Sequence, residues 1–587
     1  MHTILIVAAT TFLLGFSSCK VIPCQRPCKC IEYTSGAVAE VRVDCTLPGG
    51  TKGSIKHVPY NFSPNTTQIL LDNHEIELLT SSVFHYYPKL RHLSLKGNSI
   101  TRIENGAFGG LRELRDLDLS SNLIATIESE VFKDTPVLEN LNLANNRLNA
   151  IPKFWKLDKI QSFDIALNNI TDCTLPAEVI SPYLRSVTLS GNQCTQLSKS
   201  TFENLINTTV TKLEMSNCRV KMIEPDSFKG LIQLDDLDLA GSRLLNWTII
   251  GNVEFPSKLT TLWLDSINSS GSSLPESVIE NLPDSLQVVH MKQCDFHGKM
   301  PSFRHLNKLK YLYVNLNKFT ALPDLDKDGN SGFPYSIEHL ALRSNSFEEV
   351  ADSAFAGLNR LESVDLSFCS NIKSFSSRAF GSYAPNMTDL QLESALQDSK
   401  YPKGLLQTVP NLQRLVMSEN QLEDFPTDIK DDFDKLKKLH KLDLTGNKFR
   451  TLPHGFFKEL GSVRELLLDD NYLGEALAHD EDGRFFQGLD SLSNLNLEEN
   501  HITSLPHDIF SRVNVKDFRR VDLLGNLLTK VPKEAIAPLK NLTTLNLDAN
   551  EIQVFSPNDF IDFPLDSTID MWANPVECTC VNYDFFK

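Results

Sequence analysis

The sequence lacks the short motifs that usually accompany enzyme chemistry. It contains no HExxH, GxSxG, GxxxxGK or GxGxxG pattern, and these are signatures of zinc peptidases, serine hydrolases and nucleotide-binding loops. Paired carboxylates do occur, but on so acidic a surface they carry no catalytic signal. We therefore expect a protein that is not an enzyme and that needs neither a cofactor nor a metal.

Long apolar runs and excess positive charge are also missing. After the N-terminus no stretch approaches the ~18 consecutive apolar residues of a membrane-spanning helix, and the polar residues 583–587 do not resemble a lipid-anchor signal. The 57 Lys and Arg residues against 74 Asp and Glu give a net charge of −17. This balance disfavours nucleic acid and anionic membranes as partners.

The N-terminus is typical of a secretory signal. Residues 4–14 are mostly apolar and small residues follow them, so we predict a signal peptide over residues 1–19. The region before this run holds His2 but no Lys or Arg, and a buried N-terminal strand is the alternative.

Eight Asn-x-Ser/Thr sequons also favour a secreted glycoprotein. They lie at Asn61, Asn65, Asn169, Asn207, Asn246, Asn268, Asn386 and Asn541. Asn61 is the weakest of them, because Pro64 follows its Ser63.

One sequence frame recurs along most of the chain. It is clearest in Leu90-x-x-Leu93-x-Leu95-x-x-Asn98, and it returns twice with its Asn at 122 and 146, a step of 24 residues each time. The alternating Leu-x-Leu predicts a short strand, the Asn predicts a turn, and a recurrent Phe follows farther on. About 20 such units can be followed along the chain.

A unit of this kind cannot bury its apolar face alone. Stacked side by side, the strands pair into a parallel sheet, and the Leu and Phe residues share one core. Because the return segments are bulkier than the strands, the stack must curve with the sheet inside. We predict an α/β repeat solenoid, a horseshoe with a parallel β-sheet on its concave face, over residues 63–567. Cys218, Cys294 and Cys369 replace the Asn as buried positions in a hydrogen-bonded ladder.

This frame resembles the leucine-rich-repeat family in its extracellular form, with a consensus near LxxLxLxxNxLxxLxxxxFxxL. The four cysteines at 24, 28, 30 and 45 resemble that family's N-terminal cap, here residues 20–62. The resemblance implies the bridges Cys24–Cys30 and Cys28–Cys45. Four cysteines allow three connectivities, and a zinc site is the alternative for the same residues.

Four more cysteines lie outside the N-terminal cap and the ladder positions. Cys578 and Cys580, after Asn574-Pro575, resemble the start of the family's C-terminal cap, here residues 568–587. That cap needs two further cysteines downstream, so we expect either a piece of a longer protein or an incomplete cap. Cys173 and Cys194 lie in consecutive repeats and predict either a disulfide or two buried thiols.

Large aromatic residues single out the middle of the array as a ligand-binding site. The exposed strand positions are small or polar in most repeats, but in the middle repeats they become aromatic, and exposed aromatics are common binding anchors. The predicted site comprises Trp263, His290, Lys292, Tyr311, Tyr313, His339, Arg343 and Phe368. The alternative is local packing beneath a glycan or a neighbouring loop.

Acidic side chains form three further groups. Two clusters could meet a basic protein partner or could be solvated faces. The clusters are Asp116, Asp118, Asp235, Asp236 and Asp238, and Glu465, Asp469, Asp470, Glu498 and Glu499. The segment Asp324-x-Asp326-x-Asp328-Gly329 matches the first half of a calcium loop, but Tyr335 stands where the loop needs a bidentate Glu. A solvated surface loop is therefore the preferred interpretation.

The repeat number, the irregular middle repeats, the sequons and both caps resemble the ectodomains of Toll and Toll-like receptors. The resemblance implies an innate immune receptor at the outer face of the plasma membrane, an extracellular protein or a microbial or cytokine-like ligand, and ligand-driven homodimerisation. Two alternatives share the fold: a cell-adhesion or matrix protein, and a soluble secreted binding or inhibitory protein.

Overall fold

The structure is a computed structural model that describes residues 18–24, 26–35, 38–48, 51–154, 157–206, 208–267, 271–396, 401–425, 429–561, 563–564 and 567–577. Residues 1–17 of the predicted signal peptide, together with Cys578 and Cys580, lie outside the described residues. The chain divides into an N-terminal unit, Met1–Ile267, and a C-terminal unit, Asn268–Lys587. No helix among the described residues is both long and apolar enough to cross a membrane.

The N-terminal unit starts with an antiparallel sheet and continues as a parallel one. Its elements are β1 (Ser18–Ile22), β2 (Lys29–Ser35), β3 (Val38–Asp44), β4 (Thr66–Leu70), β5 (Leu78–Leu79), β6 (His92–Ser94), β7 (Arg102–Ile103), β8 (Asp116–Asp118), β9 (Asn140–Asn142), β10 (Ser162–Asp164), β11 (Ser186–Thr188), β12 (Gln196–Leu197), β13 (Lys212–Glu214), β14 (Met222–Ile223), β15 (Asp236–Asp238), α1 (Thr248–Gly251) and β16 (Thr261–Trp263). Strands β1, β2 and β3 pair antiparallel, β3 pairs parallel with β4, and one three-residue strand from each later repeat extends the sheet to β16. Strand β1 begins before residue 19, so the predicted signal-peptide boundary falls inside it.

The C-terminal unit repeats the same plan. Its elements are α2 (Glu276–Glu280), β17 (Val288–His290), β18 (His297–Lys299), β19 (Tyr311–Tyr313), β20 (Lys318–Ala321), β21 (His339–Ala341), β22 (Glu349–Val350), β23 (Ser363–Asp365), β24 (Ser374–Phe375), β25 (Asp389–Gln391), β26 (Arg414–Val416), α3 (Lys430–Phe433), β27 (Lys441–Asp443), β28 (Glu465–Leu467), α4 (Gly474–Ala478), β29 (Asn494–Asn496), β30 (Arg520–Asp522), α5 (Lys533–Ile536), β31 (Thr544–Asn546) and β32 (Thr568–Asp570). One strand per repeat pairs parallel with the next, from β17 to β32. Small strand pairs, such as β18 with β20, lie in the return segments.

The repeat frame explains both the strands and the core. In β6 the central Leu93 is buried, and Leu95 just beyond the strand is fully buried, while the flanking residues point outward. The return-segment phenylalanines stack on one another, with 6.0 Å between the ring centroids of Phe84 and Phe108 and 5.6 Å between those of Phe108 and Phe132. This arrangement confirms the predicted repeat solenoid with a parallel sheet.

A ladder of buried side chains joins neighbouring repeats. The amide of Asn122 donates to the carbonyls of Leu95 and Leu119, both at 3.0 Å, and its oxygen accepts from the backbone N–H of Ile100 at 3.0 Å. Each such Asn therefore satisfies backbone groups that the turn would leave unpaired.

The buried cysteines at ladder positions keep part of this pattern. Cys218 Sγ donates to the Leu189 carbonyl at 3.2 Å, and Cys369 Sγ donates to that of Leu342 at 3.5 Å. Burial raises the pKa of Cys218 to about 11 and that of Cys369 to about 12, so both thiols stay protonated at neutral pH.

Disulfides tie the N-terminal cap and one repeat junction. The structure pairs Cys24 with Cys30 and Cys28 with Cys45, which is the pairing that the resemblance implies. It also pairs Cys173 with Cys194, so of the two alternatives for these residues the structure has the disulfide.

His74 stands at the first ladder position, next to the cap. It is fully buried, its Nε2 lies 3.0 Å from the carbonyl oxygen of Cys45, and its Nδ1 accepts from the backbone N–H of Ile55 at 3.4 Å. An imidazole is longer than an Asn amide, so it bridges the cap and the first repeat from both ends of the ring.

Candidate functional site

Seven of the eight predicted site residues lie in the C-terminal unit, on three adjacent strands and in the turns that follow these strands and the next one. His290 ends β17, Tyr311 and Tyr313 lie on β19, and His339 begins β21. We call these four residues the ring cluster. Lys292, Arg343 and Phe368 lie in the turns after β17, β21 and β23.

The register of the strands stacks the rings in pairs. His290 is the register partner of Tyr313, and their rings lie 4.4 Å apart with an angle of 11° between the planes. Tyr311 is the register partner of His339, with rings 4.8 Å apart and 8° between the planes. Parallel strands are about 4.8 Å apart, so in-register rings on the same face meet at stacking distance.

Stacking buries one ring of the cluster. His290 is only 6% exposed, although its strand position predicts a side chain that points to solvent. Tyr313 covers one face of the imidazole, which the sequence pattern alone does not reveal. Burial, with a smaller contribution from Lys292, lowers the pKa of His290 from 6.5 to about 4, and burial raises the pKa of Tyr313. His290 and Tyr313 are therefore both neutral at physiological pH.

Two cations border the ring cluster. The Lys292 ammonium lies 5.2 Å from the centroid of the Tyr313 ring, and the Arg343 guanidinium lies 4.2 Å from that of Phe368. Arg343 also lies 3.6 Å from a carboxylate oxygen of Glu393. Cations held over aromatic faces are positioned without being neutralised.

Phe368 occupies an unusual backbone position for a large residue. The residue just before each ladder position has a left-handed backbone, with φ of +59° at both Leu316 and Phe368 and +62° at Gly446. Such a φ favours glycine, and a bulky residue there is strained. Leu316 and Phe368 are nevertheless 55% and 38% exposed. Apolar side chains held outward at a strained position are more typical of a contact surface than of packing.

Trp263, the eighth predicted residue, lies in the N-terminal unit. It ends β16 in the N-terminal unit, and its indole N–H donates to a carboxylate oxygen of Asp236 at 3.0 Å. Its neighbours on β15, Asp236 and Asp238, are therefore acidic.

The first acidic cluster lies on β8 and in the segment around β15 of the N-terminal unit. Asp116 bonds to His92 and Asn140, and these contacts lower its pKa although burial acts in the opposite direction. Burial and the charge of Glu214 raise the pKa of Asp238. Some of these carboxylates are thus paired, while others repel one another on one sheet face.

The second acidic cluster lies in the C-terminal unit. Glu465 pairs with Lys441 at 2.7 Å, whereas burial and neighbouring carboxylates raise the pKa of Asp469 and of Glu498. The face is therefore strongly negative, and proton uptake there is favoured.

The calcium-like segment is held by protein groups. The Asp326 carboxylate accepts from the backbone N–H groups of Asp328 and Asn330 at 2.9 and 2.8 Å and pairs with Arg304, and these bonds lower its pKa to about 2. Asp324 pairs with Lys299. Within the described ranges no group of three or more His, Cys, Asp or Glu side chains is arranged to hold a metal ion.

Five sequon asparagines have exposed side chains. These are Asn61, Asn169, Asn246, Asn386 and Asn541. Asn65 is half-buried, and Asn207 and Asn268 lie outside the described residues. The exposed five are accessible to modification.

Three polar groups that the structure reveals have no signal in the sequence pattern. Ser367 is 1% exposed, and its hydroxyl has no hydrogen-bond partner among the described residues. The side-chain oxygen of Asn315 is also buried without a partner. By contrast, the buried carboxylate of Asp432 is satisfied, since it accepts from Tyr401 at 2.7 Å, Gln407 at 2.9 Å and a backbone N–H. Asp432 is therefore structural, while Ser367 and Asn315 lie in the turns beside the ring cluster.

The leucine-rich-repeat family model matches five segments of the chain. They are residues 64–124, 112–170, 182–244, 410–473 and 518–575. The chain is a leucine-rich-repeat protein. The match includes repeats of both units, and the structure shows the same plan in the repeats between residues 244 and 410.

Curated leucine-rich-repeat relatives include both matrix and receptor proteins. The chain is 27% identical over 279 residues to podocan of Mus musculus, covering 47% of this chain and 38% of podocan. It is 25% identical over 371 residues to Toll-like receptor 3 of Boselaphus tragocamelus, covering 61% of this chain and 37% of that receptor. The chain thus spans well under half the length of both relatives.

A solved structure supports the fold. The mouse RP105/MD-1 complex superimposes with a TM-score of 0.54 at 19% identity, covering 93% of this chain and 92% of that one. At this identity the likeness concerns the fold alone.

Proposed function

We propose that this leucine-rich-repeat chain is the extracellular ligand-binding part of a Toll-like receptor, and that the ring cluster is its ligand contact. The observation that carries the proposal is the pair of ring stacks on β17, β19 and β21, bordered by Lys292 and Arg343. Aromatic rings and arginines are enriched among the residues that dominate binding energies. The similarity to Toll-like receptor 3 supports the receptor class.

The proposal includes a secreted or cell-surface location and no catalytic role. Three disulfides among the described cysteines suit an oxidising compartment. The five exposed sequon asparagines suit a glycoprotein, and the relatives are secreted matrix or cell-surface receptor proteins. Ligand-driven homodimerisation and a microbial or cytokine-like ligand belong to the same proposal.

The test joins the full chain to an unrelated signalling reporter and screens microbial fractions and cytokine-like proteins for activation. Direct binding of an activating ligand is then compared between the wild type and the double variant Tyr311→Ala, Tyr313→Ala. We expect the double variant to lose at least ~10-fold in affinity while its melting temperature and secretion stay unchanged.

The matched control is Tyr383→Ala, which removes a tyrosine that is 56% exposed in a return segment of the same unit. It should bind like the wild type. Equal affinity of the double variant and the wild type would rule out the ring cluster as the ligand contact.

A matrix protein is the second candidate, favoured by the similarity to podocan. In that case the chain should bind immobilised extracellular matrix and should not activate the reporter with any fraction. A soluble binding or inhibitory protein would likewise bind its partner without activating the reporter.

A further inference from the structure

The turns beside the ring cluster bring four polar residues into one row. The backbone bonds from Gln293 to Asn315 at 3.0 Å, from Leu316 to Arg343 at 2.9 Å and from Ser344 to Ser367 at 2.8 Å continue the strand register into these turns. Successive members of the row are Lys292, Asn315, Arg343 and Ser367. The row therefore runs alongside the stacked rings, one residue per repeat.

This part of the sheet face is positively charged, unlike the part that follows it. The outward positions of β17, β19 and β21 and the two residues before each ladder position carry two cations and no carboxylate. They are Val288, His290, Lys292, Gln293, Tyr311, Tyr313, Asn315, Leu316, His339, Ala341, Arg343 and Ser344. From β23 to β27 the corresponding positions carry five carboxylates and two cations, namely Asp365, Asp389, Glu393, Glu419 and Asp443 against Arg414 and Lys441.

Arg343 is positioned but weakly paired. Its guanidinium is fixed on the face of Phe368, and its carboxylate neighbour Glu393 lies 3.6 Å away, beyond hydrogen-bond distance. Within the described part of the chain the guanidinium donates no side-chain hydrogen bond. A planar group with five N–H donors is thus available to an oxyanion, which it can bind through two parallel bonds.

Ser367 supplies a second donor next to Arg343. Its hydroxyl is buried and bonds to no group of the described chain. A buried polar group without a partner costs free energy, and native proteins rarely keep one without a reason. A rotation of the Ser367 side chain that brings this hydroxyl to the sheet face would let it donate to a ligand oxygen held by Arg343.

We propose that Arg343 and Ser367 form a subsite for an oxyanion, namely the phosphate, sulfate or carboxylate of a small ligand whose planar part stacks on the ring cluster, with Lys292 adding positive charge two repeats away. The inference rests on the proposed ligand contact and adds the chemical class of the ligand. A long polyanion is excluded, because the carboxylates from Asp365 to Asp443 would repel it along the following strands.

The test measures binding of small probes to the full chain by isothermal titration calorimetry at neutral pH. The probes are 2-naphthyl phosphate, 2-naphthyl sulfate, 2-naphthoate and uncharged 2-naphthol. We expect at least one anion to bind ~10-fold more tightly than 2-naphthol, and the order among the three anions identifies the preferred group.

Two variants test the residues themselves. Arg343→Gln should weaken binding of the best anion ~10-fold and leave 2-naphthol unchanged, and Ser367→Ala should weaken the anion several-fold. Ser367→Ala should keep the melting temperature, because the hydroxyl bonds to no described group. The matched control is Arg520→Gln, an arginine on β30 that pairs with Asp522 at 2.9 Å, and it should bind like the wild type.

The outcomes separate this inference from the proposed contact. Three results would each overturn the oxyanion subsite. They are unchanged anion affinity in Arg343→Gln, equal affinity for anions and 2-naphthol, and no anion binding at millimolar concentration. If Tyr313→Ala abolishes binding of all probes while Arg343→Gln has no effect, the ring cluster stands and the subsite fails. If only Arg343→Gln weakens the anion and Tyr313→Ala does not, the subsite stands and the ring cluster fails as the contact.

Discussion

Single buried side chains decide much of the stability of this array. Where the ladder residue is Asn, as at Asn122, its side chain makes several hydrogen bonds to buried backbone groups, and its loss leaves at least one backbone N–H buried without a partner. Elsewhere a single ring, His290, is kept neutral by its neighbours. Both effects can be tested with point variants.

Replacing Asn122 with Ala should lower the free energy of unfolding by about 1–3 kcal/mol, because the N–H of Ile100 is left buried without a partner and the carbonyls of Leu95 and Leu119 each lose one of their two amide donors. Urea unfolding measures this loss. Asn122→Cys should lose less, since Cys218 fills such a position and still donates one bond. The control Asn140→Ala removes an exposed amide and should change stability by only a few tenths of a kcal/mol. Equal stability of Asn122→Ala and Asn140→Ala would contradict the role of the ladder.

His290 should make stability depend on pH. Its pKa is about 4 in the folded chain against 6.5 for an unperturbed histidine, so between these values the unfolded chain binds a proton that the folded chain does not. Its contribution to folding stability is therefore present above pH ~6.5 and is lost as the pH falls toward ~4.

Unfolding experiments at pH 7 and at pH 5 check this. The wild type should lose more stability between them than His290→Gln does. Lys292→Gln should raise the pKa of His290 in an NMR titration, because the ammonium lowers it. If His290→Gln loses as much stability between pH 7 and pH 5 as the wild type does, the ring does not titrate as inferred.

At the scale of elements, the parallel pairing of the strands brings residues about one repeat apart in the sequence into contact. Side chains at the same register position of β17, β19 and β21 face their neighbours one strand away, which is how the ring stacks arise. The cap also packs against its neighbouring repeat, because His74 at the first ladder position fills the space beside Gly53. A Cβ atom added to Gly53 would lie 1.9 Å from Nδ1 of His74.

Gly53→Ala should therefore destabilise the cap, by about 1–3 kcal/mol as judged from overpacked cores. Thermal unfolding measures it, with Gly461→Ala as control, because a Cβ there would approach no described atom closer than 3.6 Å. Adding His74→Asn to Gly53→Ala should restore part of the stability, since Asn is smaller and fits the ladder. No rescue by the second substitution would show that the clash is not the cause.

At the scale of the whole molecule, like charge is concentrated on the sheet faces. The chain has a net charge of −17. Burial and the charges of Asp470 and Glu393 raise the pKa of Glu419, so ionising this group works against folding at neutral pH. Glu459, by contrast, pairs with Lys437, which lowers its pKa.

Glu419→Gln should raise the melting temperature at pH 7 and reduce its dependence on salt, because it removes a repelled charge. Raising NaCl from about 0.05 M to about 0.5 M should stabilise the wild type more than this variant, since salt screens the repulsion. Glu459→Gln should instead lower the melting temperature slightly, because it removes an attractive pair. A lower melting temperature in Glu419→Gln would contradict the charge argument.

The sequence alone determined the class of fold, because the period of the Leu-x-Leu-x-x-Asn frame predicts short strands stacked in register. Ladder positions such as Asn122 and Cys218 could be assigned from the same frame. It also marked seven neighbouring residues of the candidate site by residue type. Only the tertiary structure decided how they face one another. Ring stacking buries His290, and the Trp263 indole bonds to Asp236 in the N-terminal unit. The sequence pattern does not show these contacts, because each joins side chains about one repeat apart in the sequence. The unpaired hydroxyl of Ser367 likewise follows from what surrounds it in space, and no local pattern of residues encodes that.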